Sequence, residues 1–384
     1  MKTPKLISLS LFGLALNAIF NGIFILLIAR ESDSQLLAKS MVLWSGFFVA
    51  GACIAPFENY FLYRRIGNAA PQRQGRVILL SCTVFLLVGL SICISQKVNL
   101  WTLPLTLTAG LCTGKMVHLR ARAISEGHLT RVSLSNAIEG LARATMLIFW
   151  IHQYEKLTFL QILISYIAGN LISLIPYLVR ENKEIANERD AIPHLKIYGF
   201  AIIGLLTSLM SGGLPYVAGY FNAESISVTL FFFTLSRSLL ILQSILVYVK
   251  PNYAKQLGNG NSSKILLVYS IPLFTLGYLI LLLFKYVVET MLAIDLSSIN
   301  HIDLIWFALG LVLSAFFALK ISTKNATDKW IYALISSLSG VLAACLPFIL
   351  RGSGATSFHT AMILAPLTGI LTLAQLDKRR EIRA

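Results

Sequence analysis

Five charged residues of this chain fall well inside long apolar stretches, at least four residues from either end. They are three bases and two acids: Lys115, Arg143, Arg237, Glu58 and Glu139. A charge near the middle of a bilayer costs roughly 2.5–3.5 kcal/mol on insertion scales, so such residues usually face a partner or an internal cavity. Arg143 and Arg237 each lie about 15 Å into their apolar stretch. Because an arginine fork matches phosphate oxygens in bidentate fashion, both are candidate ligands for an anionic group.

Most of these residues also have a purely structural interpretation. Glu139 precedes Arg143 by four residues, so the two share a helix face and can pair. The long side chain of Lys115 can reach the inner membrane surface. Glu58 can lie at the same level, just ahead of a basic connector. Arg237 can pair with an acid on another helix. Substrate binding therefore remains open for the three bases, and coupling or gating for the two glutamates.

Two asparagines add polarity to the first apolar stretch. Asn17 and Asn21 are four residues apart and share a helix face. They can contact the hydroxyl groups of a sugar, or simply pack against another helix. In the seventh stretch, Ser211–Pro215 reads Ser-Gly-Gly-Leu-Pro. Small residues followed by proline loosen a helix and allow it to bend, although small residues can also serve helix–helix packing.

The elements that must position these residues are membrane helices. The chain has 384 residues, of which 56% are hydrophobic and 13% charged, and its mean hydropathy is +0.74. A soluble domain carries roughly 25% charged residues. Twelve apolar segments occur along the chain: 6–29, 41–63, 76–95, 99–119, 134–152, 158–179, 195–221, 227–249, 265–284, 303–320, 329–350 and 357–376. This excludes a soluble enzyme, a secreted disulfide scaffold and a single-span receptor.

The basic residues set the orientation. When the N-terminus is placed inside, 23 of the 32 Lys and Arg residues fall on the inner side and 6 in outer connectors. Positive charge accumulates on the cytoplasmic side of membrane proteins, so both termini are expected in the cytoplasm. The same distribution accounts for the net charge of +15. No basic stripe with interleaved aromatic residues occurs, so we expect no nucleic-acid partner.

The longest inner connector predicts two lobes. Residues 180–196 carry mixed charges and separate an N-terminal lobe, 1–179, from a C-terminal lobe, 197–384, with a basic cytoplasmic tail. Each lobe has six apolar segments. An offset of 191 residues aligns 14–68 with 205–259 without a gap. We therefore expect an all-α membrane protein of about 12 transmembrane helices in two pseudo-symmetric six-helix lobes.

Other chemistry has little support. The six histidines are scattered without ligand spacing, and all five cysteines fall inside apolar segments, so neither a metal site nor a disulfide framework is indicated. No glycine-rich phosphate loop is present. We expect no cofactor and no enzymatic activity. The energy for transport would come from a coupling ion, H⁺ or Na⁺, from the membrane potential, or from the substrate gradient.

With these features the sequence resembles the multidrug/oligosaccharidyl-lipid/polysaccharide (MOP) superfamily, in particular its Wzx-like flippases. The resemblance rests on stretches that cover about a third of the chain. They are Asn17 with Leu26–Arg30; Ala55–Glu58 with Arg64-Arg65; Arg131–Asn136 with Gly140–Arg143; and Leu214-Pro215 with Leu235–Arg237 and Lys250-Pro251. The chain looks short for this superfamily. The major facilitator superfamily is the rival, but the connector from Gly67 lacks the acidic residue of its signature.

The resemblance implies a two-lobed, alternating-access carrier in the bacterial inner membrane. Its substrate would be an oligosaccharide on an undecaprenyl-type (pyro)phosphate lipid, destined for a surface polysaccharide such as the O-antigen of lipopolysaccharide, with a polysaccharide polymerase as a partner. Arg143 and Arg237 would hold the pyrophosphate, and Asn17 and Asn21 the sugar. Two alternatives stay open. They are a multidrug or metabolite exporter, and a membrane-embedded glycan-modifying enzyme.

Overall fold

A computed structural model describes most of the chain, and every regular element in the described part is a helix. The described residues are 3–54, 71–125, 128–178, 194–210, 212–221, 223–238, 262–292, 294–326, 330–351 and 354–381. Glu58 and most of the predicted connector 180–196 lie outside them. The predicted lobe boundaries therefore remain predictions.

The N-terminal half contains seven helices in its described part. They are α1 (Thr3–Glu31), α2 (Ser34–Ala52), α3 (Pro71–Ser95), α4 (Leu103–Ser125), α5 (Leu129–Gln153), α6 (Phe159–Ile172) and the short α7 (Ile175–Leu178). Asp33 caps α2, since its carboxylate accepts a hydrogen bond from the backbone N–H of Leu36 at 2.7 Å. Thr158 and Gln161 form a capping box at the start of α6. These caps satisfy backbone donors that the first turn of a helix leaves unpaired.

The C-terminal half also contains seven helices in its described part. They are α8 (His194–Leu209), the short α9 (Leu214–Ala218), α10 (Ser227–Ser238), α11 (Ser262–Leu292), α12 (His301–Ala326), α13 (Trp330–Arg351) and α14 (Ala355–Glu381). Short 3₁₀ turns at Gly219–Phe221 and Ala223–Ile226 join α9 to α10.

The helices follow the predicted apolar segments. Each of the twelve segments overlaps at least one helix. Within the described residues, seven helices are long and apolar enough to cross a membrane, or eight if a bent pair counts as one span. The bent pair is Ala201–Leu209 with Leu214–Phe221, at 72°. The bend falls at the predicted Ser211–Pro215 stretch. The all-α, multi-span fold class is thereby confirmed.

Helices pack mainly within their own half. In the N-terminal half α1 lies along α5, α3 along α4, and α6 against both α4 and α5. In the C-terminal half α14 packs against α12 and α13, while α8 packs against α13. Glycine permits the close approach of α1 to α5: a Cβ atom on Gly140 would lie 2.7 Å from Oδ1 of Asn17 and 2.9 Å from Cβ of Phe20. This approach brings the asparagines of α1 beside the charged face of α5.

The two halves meet through α1 and α2 on one side and α8, α9 and α10 on the other. Gln96, just after α3, donates a hydrogen bond to the carbonyl oxygen of Gly219 at 2.8 Å. Ser45 of α2 hydrogen bonds to the carbonyl of Gly212, and the hydroxyl groups of Ser91 and Tyr216 bond to each other. These contacts lie toward the ends of the helices that the charge distribution predicts to be outside.

Candidate functional site

Arg143 is the centre of a buried polar cluster in the N-terminal half. Its Nη2 donates to Oε1 of Glu139, one turn earlier on α5, and to Oδ1 of Asn170 on α6 at 2.5 Å. Its Nη1 donates to Oδ1 of Asn21 on α1 at 3.1 Å. One guanidinium therefore joins three helices. We call Asn17, Asn21, Arg120, Glu139, Arg143 and Asn170 the Arg143 cluster.

Glu139 is shared between two arginines. Its Oε1 accepts from Arg143, and its Oε2 accepts from Nη2 of Arg120 on α4 at 2.7 Å. The side chains of Glu139 and Arg143 are 8% and 4% exposed. A buried carboxylate is tolerated when it is paired and hydrogen bonded. Glu139 therefore ties α4 to α5 through charge.

Aromatic rings cover the Arg143 guanidinium. Its central carbon lies 4.3 Å from the ring centroid of Tyr166 and 5.3 Å from that of Trp44. The Trp44 and Tyr166 rings also meet edge to face, with centroids 5.5 Å apart. The face of an aromatic ring attracts a cation within about 6 Å. The rings thus stabilise the charge while they exclude water from it.

Amide side chains extend the hydrogen-bonded cluster beyond the direct partners of Arg143. Nδ2 of Asn21 donates to Oδ1 of Asn17 at 3.1 Å, and Nδ2 of Asn170 donates to Oγ1 of Thr113 on α4 at 3.2 Å. Gly169 leaves room for the arginine, since a Cβ atom there would lie 2.9 Å from Nε of Arg143. Helices α1, α4, α5 and α6 therefore all contribute to one polar interior.

Arg143 lies near mid-depth and has one donor without an acceptor in the described part of the chain. Arg143 lies about 21 Å along α5 from Leu129, near the middle of that helix. Its Nε is buried and has no hydrogen-bond partner within the described part of the chain. A buried donor without an acceptor is unfavourable. An anionic group that reached the guanidinium would satisfy this donor.

The structure brings together four of the predicted site residues. Asn17, Asn21, Glu139 and Arg143 form one connected set, and the predicted pairing of Glu139 with Arg143 on one helix face is present. Their predicted roles in binding and coupling remain untested by this geometry.

The other predicted residues are separate from this set or beyond description. Lys115 lies on α4, partly buried. Arg237 lies on α10, but its side chain is outside the described part of the structure. Glu58 is outside it altogether.

Sequence reasoning missed four members of the site: Trp44, Arg120, Tyr166 and Asn170. The charge count assigned Arg120 to an inner connector. In the structure α4 continues to Ser125, so Arg120 lies on this helix and inside the bundle. The signal for Asn170 was its polarity within an apolar segment. Nothing local marks Trp44 or Tyr166 as partners of an arginine, because aromatic residues are common in membrane helices.

Comparison with known proteins identifies the fold. No protein-family model matches the chain, and no curated protein matches it. Solved structures do. A MATE transporter in complex with MaD3S aligns with a TM-score of 0.64 at 13% identity, over 97% of this chain and 94% of that one. An outward-facing multidrug resistance MATE family transporter of the MOP superfamily aligns with a TM-score of 0.54 at 13% identity, over the same shares of the two chains.

A third solved structure belongs to the same group. It is a MOP superfamily transporter from Pyrococcus furiosus Vc1, described by a reverse polarity of its binding pocket that suggests a different function. It aligns with a TM-score of 0.58 at 12% identity, over 97% of this chain and 94% of the other. The chain therefore has the fold of MATE transporters of the MOP superfamily, as the resemblance implied, and is a multi-pass membrane protein. The sequence identities are only 12–13%, so the structural likeness shows the fold but does not identify the substrate.

Proposed function

We propose that this protein is an alternating-access transporter that exports organic molecules, as the MATE-type architecture suggests. The observation that carries the proposal is the likeness to MATE transporters across 97% of the chain. One structure of this fold is described as a multidrug resistance MATE family transporter. The energy would come from a gradient of H⁺ or Na⁺.

The contacts between the halves support alternating access. Ser45–Gly212, Ser91–Tyr216 and Gln96–Gly219 are individual hydrogen bonds between the halves toward the predicted outer side. Each such bond contributes only about 0.5–1.5 kcal/mol net. Bonds of this strength can break and re-form as the halves rock, but the apolar contacts beside them, such as Val42 against Gly219, must separate as well.

A second candidate function is the transfer of a lipid-linked oligosaccharide across the bacterial inner membrane. The buried Arg143, whose Nε lacks an acceptor in the described part of the chain, favours it. This arginine could hold a (pyro)phosphate while Asn17 and Asn21 contact sugar hydroxyls. The MOP transporter with reverse pocket polarity is a precedent for separating functions by charge within one fold. A polysaccharide polymerase would then act downstream.

Transport by the purified protein in liposomes distinguishes these functions. Three probes are needed: a cationic dye such as ethidium, an anionic dye such as carboxyfluorescein, and a fluorescent polyprenyl pyrophosphate oligosaccharide. Dye movement is followed by dequenching, and lipid movement by chemical reduction of the outer-leaflet fluorophore. Imposed H⁺ and Na⁺ gradients test the coupling.

The pattern of transport decides between the candidates. An exporter should move at least one dye in a gradient-dependent manner and leave the lipid in place. A flippase should move the lipid and neither dye. In that case an Arg143→Gln variant should lose at least about tenfold in the rate of lipid transfer, because a loss of about 1.4 kcal/mol of interaction with the substrate corresponds to a factor of ten. Arg143→Lys is the matched control that keeps the charge and loses the fork. Movement of no probe under any gradient would contradict both.

A further inference from the structure

The C-terminal half contains a buried histidine–aspartate pair that none of the roles above uses. Nδ1 of His359, near the start of α14, lies 3.3 Å from Oδ1 of Asp303, near the start of α12. Their side chains are 8% and 13% exposed. Both helices begin on the predicted outer side, so the pair lies close to the outer surface.

Asp303 is held in place by the end of its own helix. Its Oδ2 accepts from the backbone N–H of Asn300 at 2.8 Å. In return, Oδ1 of Asn300 accepts from the backbone N–H of Asp303 at 3.0 Å. This reciprocal cap fixes the carboxylate, and the other carboxylate oxygen faces the imidazole. Nδ1 of His359 therefore lies within ion-pair distance of a fixed carboxylate oxygen.

The second nitrogen of the imidazole lacks a partner in the described part of the structure. Nε2 of His359 is buried and makes no hydrogen bond within the described residues. The ring instead meets Phe307 edge to face, with centroids 5.2 Å apart, and Phe358 at 6.4 Å. A proton added at Nε2 would be a buried N–H donor without an acceptor, which disfavours this packing.

Few other charged groups come near the pair. On α11, Lys285 pairs with Glu289 at 3.6 Å and also donates to the carbonyl of Ile299. On α13 the one charged residue is Arg351, its last residue, on the same predicted outer side as the pair, and on α10 it is Arg237, whose side chain lies outside the described part of the structure. Asp303 is thus the charged group that contacts the imidazole in the described part of the chain.

A chain of aromatic rings joins the pair to the contact between the halves. Phe358 meets Phe233 of α10 edge to face at 5.1 Å, and Phe307 meets Phe232 of α10 at 5.7 Å. Helix α10 in turn packs against α1 and α2 of the N-terminal half. Interiors packed in this way transmit displacement instead of absorbing it.

We propose that His359 and Asp303 form a proton-binding site, loaded from the outer side, whose protonation loosens the contact between the two halves there. This proposal rests on the proposed transport function, because it names the proton as the coupling ion and gives a site where the proton binds. Histidine suits this role since its charge changes between about pH 5 and 8. Protonation penalises the packing of α10, α12 and α14, and α10 carries the effect to the N-terminal half.

The test measures the distance between the halves as a function of pH in lipid nanodiscs. Spin labels are placed through Tyr154→Cys and Tyr286→Cys, at residues that are 54% and 64% exposed. Native cysteines that react are replaced. We expect the mean distance between the labels to increase as the pH is lowered from about 8 to about 5, and His359→Gln to abolish the increase. His301→Gln is the matched control, an exposed histidine on the same helix as Asp303, and should keep it.

Two further measurements keep the proposal testable if the glutamine variant folds poorly. Asp303→Asn, which retains an oxygen acceptor for Asn300, should shift the midpoint of the distance change. The imidazole NMR signals of His359 in the otherwise unaltered protein should titrate together with the distance. A distance that does not respond to pH, that decreases in acid, or that responds equally in His359→Gln would overturn the proposal. These measurements need no substrate, so they can fail while transport succeeds, and the reverse.

Discussion

The two halves of this molecule have similar helix counts but place their charges differently. In the N-terminal half, Glu139 and Arg143 pair in the middle of α5 with side chains 8% and 4% exposed. In the described part of the C-terminal half, the ion pairs lie toward helix ends. Lys324 pairs with Asp377, which is 39% exposed, and Lys285 pairs with Glu289, which is 35% exposed.

The interior of the C-terminal half is aromatic instead. Phe232, Phe233, Phe307 and Phe358 form a connected set of rings between α10, α12 and α14. Such rings pack tightly and add about 0.5–1.5 kcal/mol per pair beyond the burial of their area. Under the proposals above, the N-terminal half would offer polar groups to a ligand and the C-terminal half would transmit movement.

The largest expected effect comes from Glu139. A Glu139→Gln substitution leaves Arg143 and Arg120 close together and removes the carboxylate that both contact. Breaking a buried ion pair by removing one partner typically costs about 3–5 kcal/mol. We therefore expect a large fall in the midpoint of thermal unfolding in detergent.

Glu289→Gln provides the matched control in the other half. Its pair with Lys285 is partly exposed, and such pairs contribute about 0–1 kcal/mol. If the Glu139→Gln and Glu289→Gln variants unfolded at the same temperature, the claim that the two halves depend differently on charge would be contradicted.

A glycine on α6 sharpens the comparison further. A Cβ atom at Gly169 would lie 2.7 Å from the backbone oxygen of Glu139 and 2.9 Å from Nε of Arg143. Overpacking of this kind costs about 1–3 kcal/mol, so Gly169→Ala should destabilise the protein and displace Arg143. At Gly277 of α11 nothing lies within 4 Å of such an atom. Gly277→Ala should be neutral or slightly stabilising in the same unfolding assay, and equal losses would argue against a tight Arg143 cluster.

The smallest effect is expected at the end of α14. Asp377 accepts from Nζ of Lys324 with both carboxylate oxygens, at 2.5 and 2.6 Å, but its exposure reduces the value of the pair. We expect Asp377→Asn to lower the free energy of unfolding by less than about 1 kcal/mol. A loss comparable to that of Glu139→Gln would show that the C-terminal half depends equally on charge.

Periodicity and local spacing predicted much of this architecture. The apolar segments predicted the helices because each long apolar run must satisfy its own backbone hydrogen bonds in a bilayer. A spacing of four residues predicted that Glu139 meets Arg143 and that Asn17 lies beside Asn21. The Ser-Gly-Gly-Leu-Pro stretch predicted the break between α8 and α9.

Contacts between distant segments could not be predicted in this way. Arg120 reaches Glu139 because α4 extends past its apolar segment, and that depends on where α4 packs. Asn170 and Tyr166 meet Arg143 because Gly169 lets α6 approach α5 closely. The pairing of His359 with Asp303 joins residues 56 positions apart, and no local spacing marks it.

Movement of the halves against each other is the central claim, and a reversible cross-link tests it most directly. A Cβ atom on Gly219 would lie 2.8 Å from both methyl carbons of Val42 on α2, so Val42→Cys with Gly219→Cys places two thiols within reach of a disulfide. Oxidation should stop the movement of whichever probe the unlinked protein carries in liposomes, and reduction should restore it. Each variant that carries only one of the two substitutions should transport under both conditions. Undiminished transport by fully cross-linked protein would contradict alternating access through this contact.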